Sequence, residues 1–80
     1  MEITVKPIKV ILTNASTFPY TFTIEHHGIS AINTGAVPLV ITLSNGIVIS
    51  VPAGTPYEDY FKGFVTINAT GSTSFQIGVR

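Results

Sequence analysis

The 80-residue chain contains no cysteine and no tryptophan. Without cysteine it can form no disulfide bond and no thiolate zinc site, and it has no cysteine nucleophile. A chain of this length holds one domain, residues 1–80, and a single core of under ~80 residues is marginal without an added stabilising device. With disulfides excluded, a metal or oligomerisation remains as that device.

Charged side chains are also scarce. They make up 10% of the chain, four of each sign, against 45% hydrophobic residues. Designed soluble surfaces carry roughly 25–35% charged residues, and so small a domain cannot bury all of its apolar side chains. We therefore expect self-association to cover part of the surface. The four basic residues are scattered and the net charge is zero, so we expect no nucleic-acid partner.

The sequence also lacks long hydrophobic runs. The longest unbroken one extends from Ala36 to Ile41, far below the ~20 residues of a membrane-spanning helix. The first residues, Met1-Glu2-Ile3, do not form a basic segment followed by an apolar one, so we expect no secretory signal. We expect no membrane partner either.

What the sequence does contain is alternation of period two in segments rich in Ile, Val, Thr and Phe, separated at short intervals by Gly, Pro or Asn. This pattern is typical of short antiparallel strands. It predicts an all-β fold, a small antiparallel β-sandwich or barrel of six to seven short strands.

The first two strands have recognisable irregularities. Apolar residues change parity at Lys6-Pro7, which predicts a bulge or break at a sheet edge. After turn residues 14–17, a second strand has one aromatic and apolar face, which we expect to be buried, and ends at His26-His27-Gly28. Residues 29–36 form a short strand or an extended loop. The aromatic and apolar face of the second strand consists of Phe18, Tyr20, Phe22 and Ile24.

The central hairpin extends from Val37 to Val51 around Ser44-Asn45-Gly46. A two-residue loop would divide its apolar residues between both faces. A three-residue loop with Gly46 in the left-handed conformation places them on one face, so we favour it. The pairs are then Leu43 with Ile47, Ile41 with Ile49 and Leu39 with Val51. The reverse face is a candidate subunit contact and carries Val40, Thr42, Val48 and Ser50.

The C-terminal third predicts one more hairpin. Tyr57 to Phe61 is the only segment in which a single helical turn is plausible. Residues 65–69 and 75–79 are expected to pair across the turn at residues 70–73, with their apolar side chains on one face and uncharged polar ones on the other. Such an uncharged edge needs a cover, from another sheet or another subunit.

Two clusters could carry chemistry. Glu25, His26 and His27 include metal-binding side chains, but adjacent strand residues point to opposite sides and further ligands would have to come from Glu58 or Asp59. We interpret the histidines as a solvent-facing turn. The Glu58-Asp59 pair consists of neighbours, whereas acid–base catalysis needs two carboxylates across a cleft. No nucleophile, base and orienting group occur together, so we expect no enzyme activity and no cofactor.

Four aromatic residues concentrate between Tyr57 and Phe64, with two acids between them. Such a cluster is typical either of a core or interface plug or of a sugar-binding platform. The absence of tryptophan favours the plug. The platform, formed by Tyr57, Tyr60 and Phe61, is the alternative hypothesis and would make the protein a carbohydrate-binding module.

The turn Val51-Pro52-Ala53-Gly54, the aromatic pair Tyr60-Phe61 and the strand closing at Ala69-Thr70-Gly71 resemble small β-rich accessory virion proteins of tailed bacteriophages. The segments Asn33-Thr34-Gly35 and Val40-Ile41-Thr42 contribute to the resemblance. It implies a non-enzymatic part added to a capsid, tail or fibre as a symmetric homo-oligomer such as a trimer. It also implies location in the virion after synthesis in the host cytoplasm, and supplies no site residue.

Overall fold

The computed structural model describes residues 10–80, which form six strands. They are β1 (Val10–Thr13), β2 (Tyr20–Asn33), β3 (Leu39–Leu43), β4 (Val48–Val51), β5 (Pro56–Thr70) and β6 (Phe75–Val79). Neighbouring strands are antiparallel, in the order β1-β6-β2-β5-β3-β4. The expected all-β fold is confirmed, although β2 and β5 are long, with 14 and 15 residues. The bulge expected at Lys6-Pro7 lies outside the described residues.

The two long strands connect two half-sheets. The first half-sheet consists of β1, β6, the end of β2 and the beginning of β5, and the second of the beginning of β2, the end of β5, β3 and β4. Between them the β2–β5 register shifts on either side of His26. Bulges bend a strand and increase its twist. The sheet therefore folds over on itself in a sandwich-like arrangement.

A single core lies between the two half-sheets and receives side chains from all six strands. Ile41, Ile67 and Ile77 are fully buried in it and come from three different strands. Its members are Leu12, Phe22, Ile29, Ala31, Leu39, Ile41, Leu43, Ile49, Val51, Phe64, Ile67, Phe75, Ile77 and Val79. The period-two alternation thus identifies the buried side of most strands.

The central hairpin has the favoured register. Leu39 pairs with Val51 and Ile41 with Ile49, and the Leu43 N–H donates to the Ile47 carbonyl at 2.9 Å. Gly46 has a φ of 91°, a left-handed conformation that costs a glycine little. The three-residue loop is confirmed, because it alone places the apolar residues on one side.

The expected C-terminal hairpin is wrong in its pairing. Ile67, Phe75, Ile77 and Val79 are buried as expected, but β5 and β6 are not neighbours. β5 pairs with β2 and β3, whereas β6 pairs with β1 and β2. The segment between them is a corner that carries the chain from one half-sheet to the other. Alternation determines which face is buried but not which strand is the partner.

The end expected for the second strand at His26-His27-Gly28 is also wrong, because β2 continues to Asn33. The register shifts at His26 absorb the break in alternation. Burial of the aromatic face is confirmed only in part: Phe22 is buried and Phe18 packs against Phe75 with ring centroids 5.9 Å apart. The other two members, Tyr20 and Ile24, are exposed.

The helical turn expected at Tyr57 to Phe61 is wrong, because these residues lie within β5. Tyr57 pairs with Ala31 and Tyr60 with Gly28. A ladder with the distant strand β2 therefore overrides the local preference, which a short sequence window cannot show.

The side chain of Asn33 links the two half-sheets through hydrogen bonds. It is fully buried at the end of β2, and its Nδ2 donates to the carbonyl oxygens of Val37 at 2.8 Å and Val51 at 3.0 Å. Its Oδ1 accepts from Ser72 Oγ at 2.7 Å and from the Gly35 N–H at 3.0 Å. Both polar atoms of the amide are thus satisfied, as a buried amide requires.

Candidate interaction surface

The candidate contact residues of the central hairpin lie together on the outer side of the second half-sheet. Val40 pairs with Ser50 and Thr42 with Val48. Val48 is 63% exposed, Thr42 and Ser50 are exposed and Val40 is half-buried. The structure therefore brings the four predicted residues into one contiguous surface.

Strand β5 extends this surface by two residues that the sequence did not assign to it. Thr70 pairs with Val40, and Asn68 pairs with Thr42. The alternation placed Asn68 on an uncharged polar face, but the expected pairing with residues 75–79 separated that face from the central hairpin. We call the outer side of Val40, Thr42, Val48, Ser50, Asn68 and Thr70 the uncharged face.

Charge is concentrated elsewhere in the described part of the chain. Its Asp, Glu, Lys and Arg residues are Glu25 in β2, three residues at the beginning and middle of β5, and Arg80 after β6. The three in β5 are Glu58, Asp59 and Lys62. None belongs to β3, β4 or the turn between them. The uncharged face therefore lacks the ionic groups that usually keep a sheet surface solvated.

The three residues of the alternative hypothesis, the sugar platform, are divided between two sides of β5. The rings of Tyr57 and Phe61 are nearly parallel, with an interplanar angle of 9° and centroids 6.5 Å apart, and both pack against the core. Tyr60 lies on the other side, 47% exposed, and its hydroxyl accepts a hydrogen bond from Arg80 Nη1 at 3.2 Å. The three rings therefore offer no common stacking surface for a sugar.

The acidic pair makes local polar contacts. Glu58 forms an ion pair with Arg80, with Nη2 3.0 Å from Oε2. Asp59 accepts from the Tyr60 N–H at 2.8 Å and from the Tyr57 hydroxyl at 3.4 Å. Burial, followed by the nearby Asp59 carboxylate, raises the pKa of Tyr57. The hydrogen bond to Tyr60 and the charge of Glu58 raise the pKa of Arg80.

The interpretation of the histidines as a solvent-facing turn is wrong, because both lie within strand β2 and His26 does not face solvent. That side chain is buried in β2, edge-on to the Phe22 ring with centroids 4.7 Å apart. His27 is half-buried; its Nε2 lies 3.3 Å from Glu25 Oε1 and its Nδ1 3.3 Å from the Phe61 carbonyl oxygen. Within residues 10–80, no group of three or more His, Cys, Asp or Glu side chains could hold a metal ion.

Two shallow concavities lie on the first half-sheet, with volumes of about 280 and 350 Å³. They share Ser30, Ala31 and Pro56; Ile11, Ile32 and Gly78 help line the first, and Tyr57 and Glu58 the second. Neither reaches the uncharged face.

No helix in the described part of the chain is long and apolar enough to cross a membrane. Comparisons of the chain with protein-family models, with curated proteins and with solved structures find no match.

Proposed function

We propose that this chain is a non-enzymatic structural protein that assembles with copies of itself, as a component added to the capsid or tail of a bacteriophage. The observation that carries the proposal is the uncharged face. A surface of valine, threonine, serine and asparagine without an ionic group is suited to burial against another protein.

The distribution of charge supports the choice of this surface. All five Asp, Glu, Lys and Arg residues of the described chain lie outside β3 and β4, so an oligomer joined at the uncharged face need not desolvate them. Burial of an unpaired charge is strongly unfavourable at a protein interface. The virion location follows from the resemblance of the turn and strand motifs between Asn33 and Gly71 to accessory virion proteins.

A pair of lysine substitutions tests the surface. Val48 on the uncharged face and Ile24 on β2 are 63% and 62% exposed, so they are closely matched. We expect the wild-type protein to be oligomeric at micromolar concentrations in analytical ultracentrifugation. Val48→Lys places a charge in the contact and should shift the protein to monomer, whereas Ile24→Lys should leave the oligomer unchanged.

A wild-type protein that stays monomeric and is absent from purified virions of a phage encoding it would contradict the proposal. Equal dissociation by both lysine variants would move the contact away from the uncharged face. Mass spectrometry of the purified particles provides the virion measurement, and circular dichroism of each variant checks that it is folded.

A further inference from the structure

We propose that β4 is the strand at which a second copy of this chain joins the sheet, by antiparallel pairing about a two-fold axis beside Ile49. This inference rests on the proposed self-association and specifies one contact within it. Across the described residues, β4 ends the strand order and pairs with β3 alone.

This edge lacks the features that usually prevent strand addition. Proteins protect edges with charged residues, prolines or bulges. The beginning of β5, which pairs only with β2 within residues 10–80, has Pro56, Glu58 and Asp59. By contrast, β4 reads Val-Ile-Ser-Val. Of these two edges, only β4 lacks such protection. Strand β1, at the other end of the strand order, also pairs with a single strand within residues 10–80, but it does not belong to the uncharged face, whereas β4 carries Val48 and Ser50 of that face.

The hydrogen bonds of β3 show which main-chain groups of β4 face outward. Ser44 N–H donates to the Thr66 carbonyl of β5 at 3.0 Å, whereas Leu43 N–H donates to the Ile47 carbonyl on the β4 side at 2.9 Å. Because the direction alternates along an antiparallel strand, Ile49 is bonded to β3. The N–H and C=O groups of Val48 and Ser50 therefore point to the open edge.

The outward groups select one register. Two copies paired with Ile49 opposite Ile49 place Val48 of each opposite Ser50 of the other. Each of these two pairs exchanges two hydrogen bonds, which makes four in total. This register keeps outward side chains on one face and core side chains on the other, as pairing between half-buried strands requires.

The neighbouring registers are poorer. Pairing centred on Ser50 sets Val48 opposite Pro52, which has no N–H to donate. Pairing centred on Val48 sets Ser50 opposite Gly46, whose N–H already donates to the Leu43 carbonyl at 3.0 Å. The Pro52 carbonyl already accepts from the Thr55 N–H at 3.3 Å and from Thr55 Oγ1 at 2.7 Å, and Gly46 precedes β4 with a left-handed φ of 91°. Either shifted register therefore keeps only the two hydrogen bonds of its central pair, against four in the Ile49-centred register.

The side chains suit the same register. On the core side, Ile41 and Ile49 of one copy continue into Ile49 and Ile41 of the other as a row of four isoleucines. On the outer side, Val48 lies beside Ser50 of the second copy and no two charges meet. The two sheets would form one twelve-stranded sheet, in which the uncharged faces of both copies are continuous.

Disulfide trapping tests the register directly, because the chain has no cysteine of its own. Val48→Cys and Ser50→Cys proteins are prepared separately, mixed in equal amounts and oxidised. Opposite residues of a hydrogen-bonded pair lie roughly 5.5 Å apart at Cα, within disulfide range. We expect the mixture to yield several-fold more covalent dimer than either variant alone. The intact mass of this dimer should equal that of one Val48→Cys chain joined to one Ser50→Cys chain.

Ile24→Cys is the matched control, since Ile24 is as exposed as Val48 but lies in β2, outside both β4 and the uncharged face. It measures cross-linking by random collision. If the mixture forms no more dimer than Ile24→Cys while ultracentrifugation still shows an oligomer, the β4 contact is overturned and the proposed self-association stands. Preferential cross-linking of Ser50→Cys with itself would equally overturn the register.

Hydrogen exchange of the wild-type protein provides a measurement without substitutions. We expect the amides of Val48 and Ser50 to exchange quickly at low concentration and to become protected where the dimer forms. Protection of both amides in the monomer would mean that another segment of the same chain occupies the edge, and would overturn the inference. A monomer at every concentration would contradict both the inference and the proposed function.

Discussion

Neighbouring side chains on β3 lie in opposite environments. Ile41 is fully buried among core residues of several strands, and Thr42 is exposed on the uncharged face. Burial of a large aliphatic side chain stabilises the fold through both the area removed from water and close packing. An exposed threonine contributes little of either kind. The hairpin therefore stabilises the monomer through one face and leaves the other face exposed.

Ile41→Ala should lower the free energy of unfolding by about 2–5 kcal/mol, because it leaves a cavity in the core. Thr42→Ala should cost less than about 1 kcal/mol, as surface substitutions usually do. Urea denaturation of both variants, under conditions where each is monomeric, measures the difference. Equal losses would contradict the register that places Leu39, Ile41 and Leu43 inward.

The strands depend on two kinds of connection. The β3–β4 turn is local: Gly46 closes it, and its surroundings are open enough that an added Cβ would meet no atom within 4 Å. The β5–β6 corner joins the half-sheets, and there Gly71, with a φ of 93°, lies against the Pro38 carbonyl oxygen. Replacing Gly46 by a residue with a side chain would add backbone strain alone. The same replacement at Gly71 would add backbone strain and a clash with the Pro38 carbonyl oxygen.

Gly46→Ala should therefore destabilise the protein by about 1–2 kcal/mol, the cost of a left-handed conformation in a residue with a Cβ. Gly71→Ala should lower the free energy of unfolding by an additional ~1–3 kcal/mol, because its Cβ is forced against the Pro38 carbonyl oxygen. Thermal unfolding of the two variants side by side measures the gap. A Gly46→Ala variant as unstable as Gly71→Ala would show that the corner is not tightly packed.

The same two connections explain which strands the sequence could predict. Residues 37–51 carry both strands and their turn, so Gly46 and the alternation together specify the pairing. Residues 65–79 have an equally clear alternation and a turn, yet β5 and β6 do not pair, because β5 lies between β2 and β3 and β6 lies between β1 and β2. The residues His26-His27-Gly28 look like the end of a strand in the sequence. In the structure β2 continues through them, because its pairing register with β5 shifts there.

The whole molecule combines a small core with a surface that is unevenly charged. Its radius of gyration is 12.2 Å, and an 80-residue chain with no disulfide has little stability to spare. If assembly buries the uncharged face, folding and association are coupled. The stability of the protein then depends on its concentration.

Dilution should lower the melting temperature of the wild-type protein, because mass action favours the dissociated chain. The melting temperature of Val48→Lys should be independent of concentration over the same range. Differential scanning fluorimetry at a series of concentrations measures both. A wild-type transition that does not move with concentration would indicate that the fold is stable without a partner.

The candidate surface shows the same division between local and distant information. Val40, Thr42, Val48 and Ser50 could be grouped from the sequence, since they share one side of one hairpin. Asn68 and Thr70 could not be added to them, because the pairing of β5 with β3 joins distant parts of the chain. The sugar platform looked continuous in sequence, but Tyr60 points to the opposite side of the strand from Tyr57 and Phe61.

Composition and alternation by themselves determined the strand-rich fold, the core side of most strands and the shortage of charge, because each depends on residue type and on a period of two. The tertiary structure alone decided which strands pair, where β2 and β5 bend, and that Asn33 joins the half-sheets. These features arise from contacts between residues far apart in the chain, whose energies compete over the whole fold and leave no signal in any short segment.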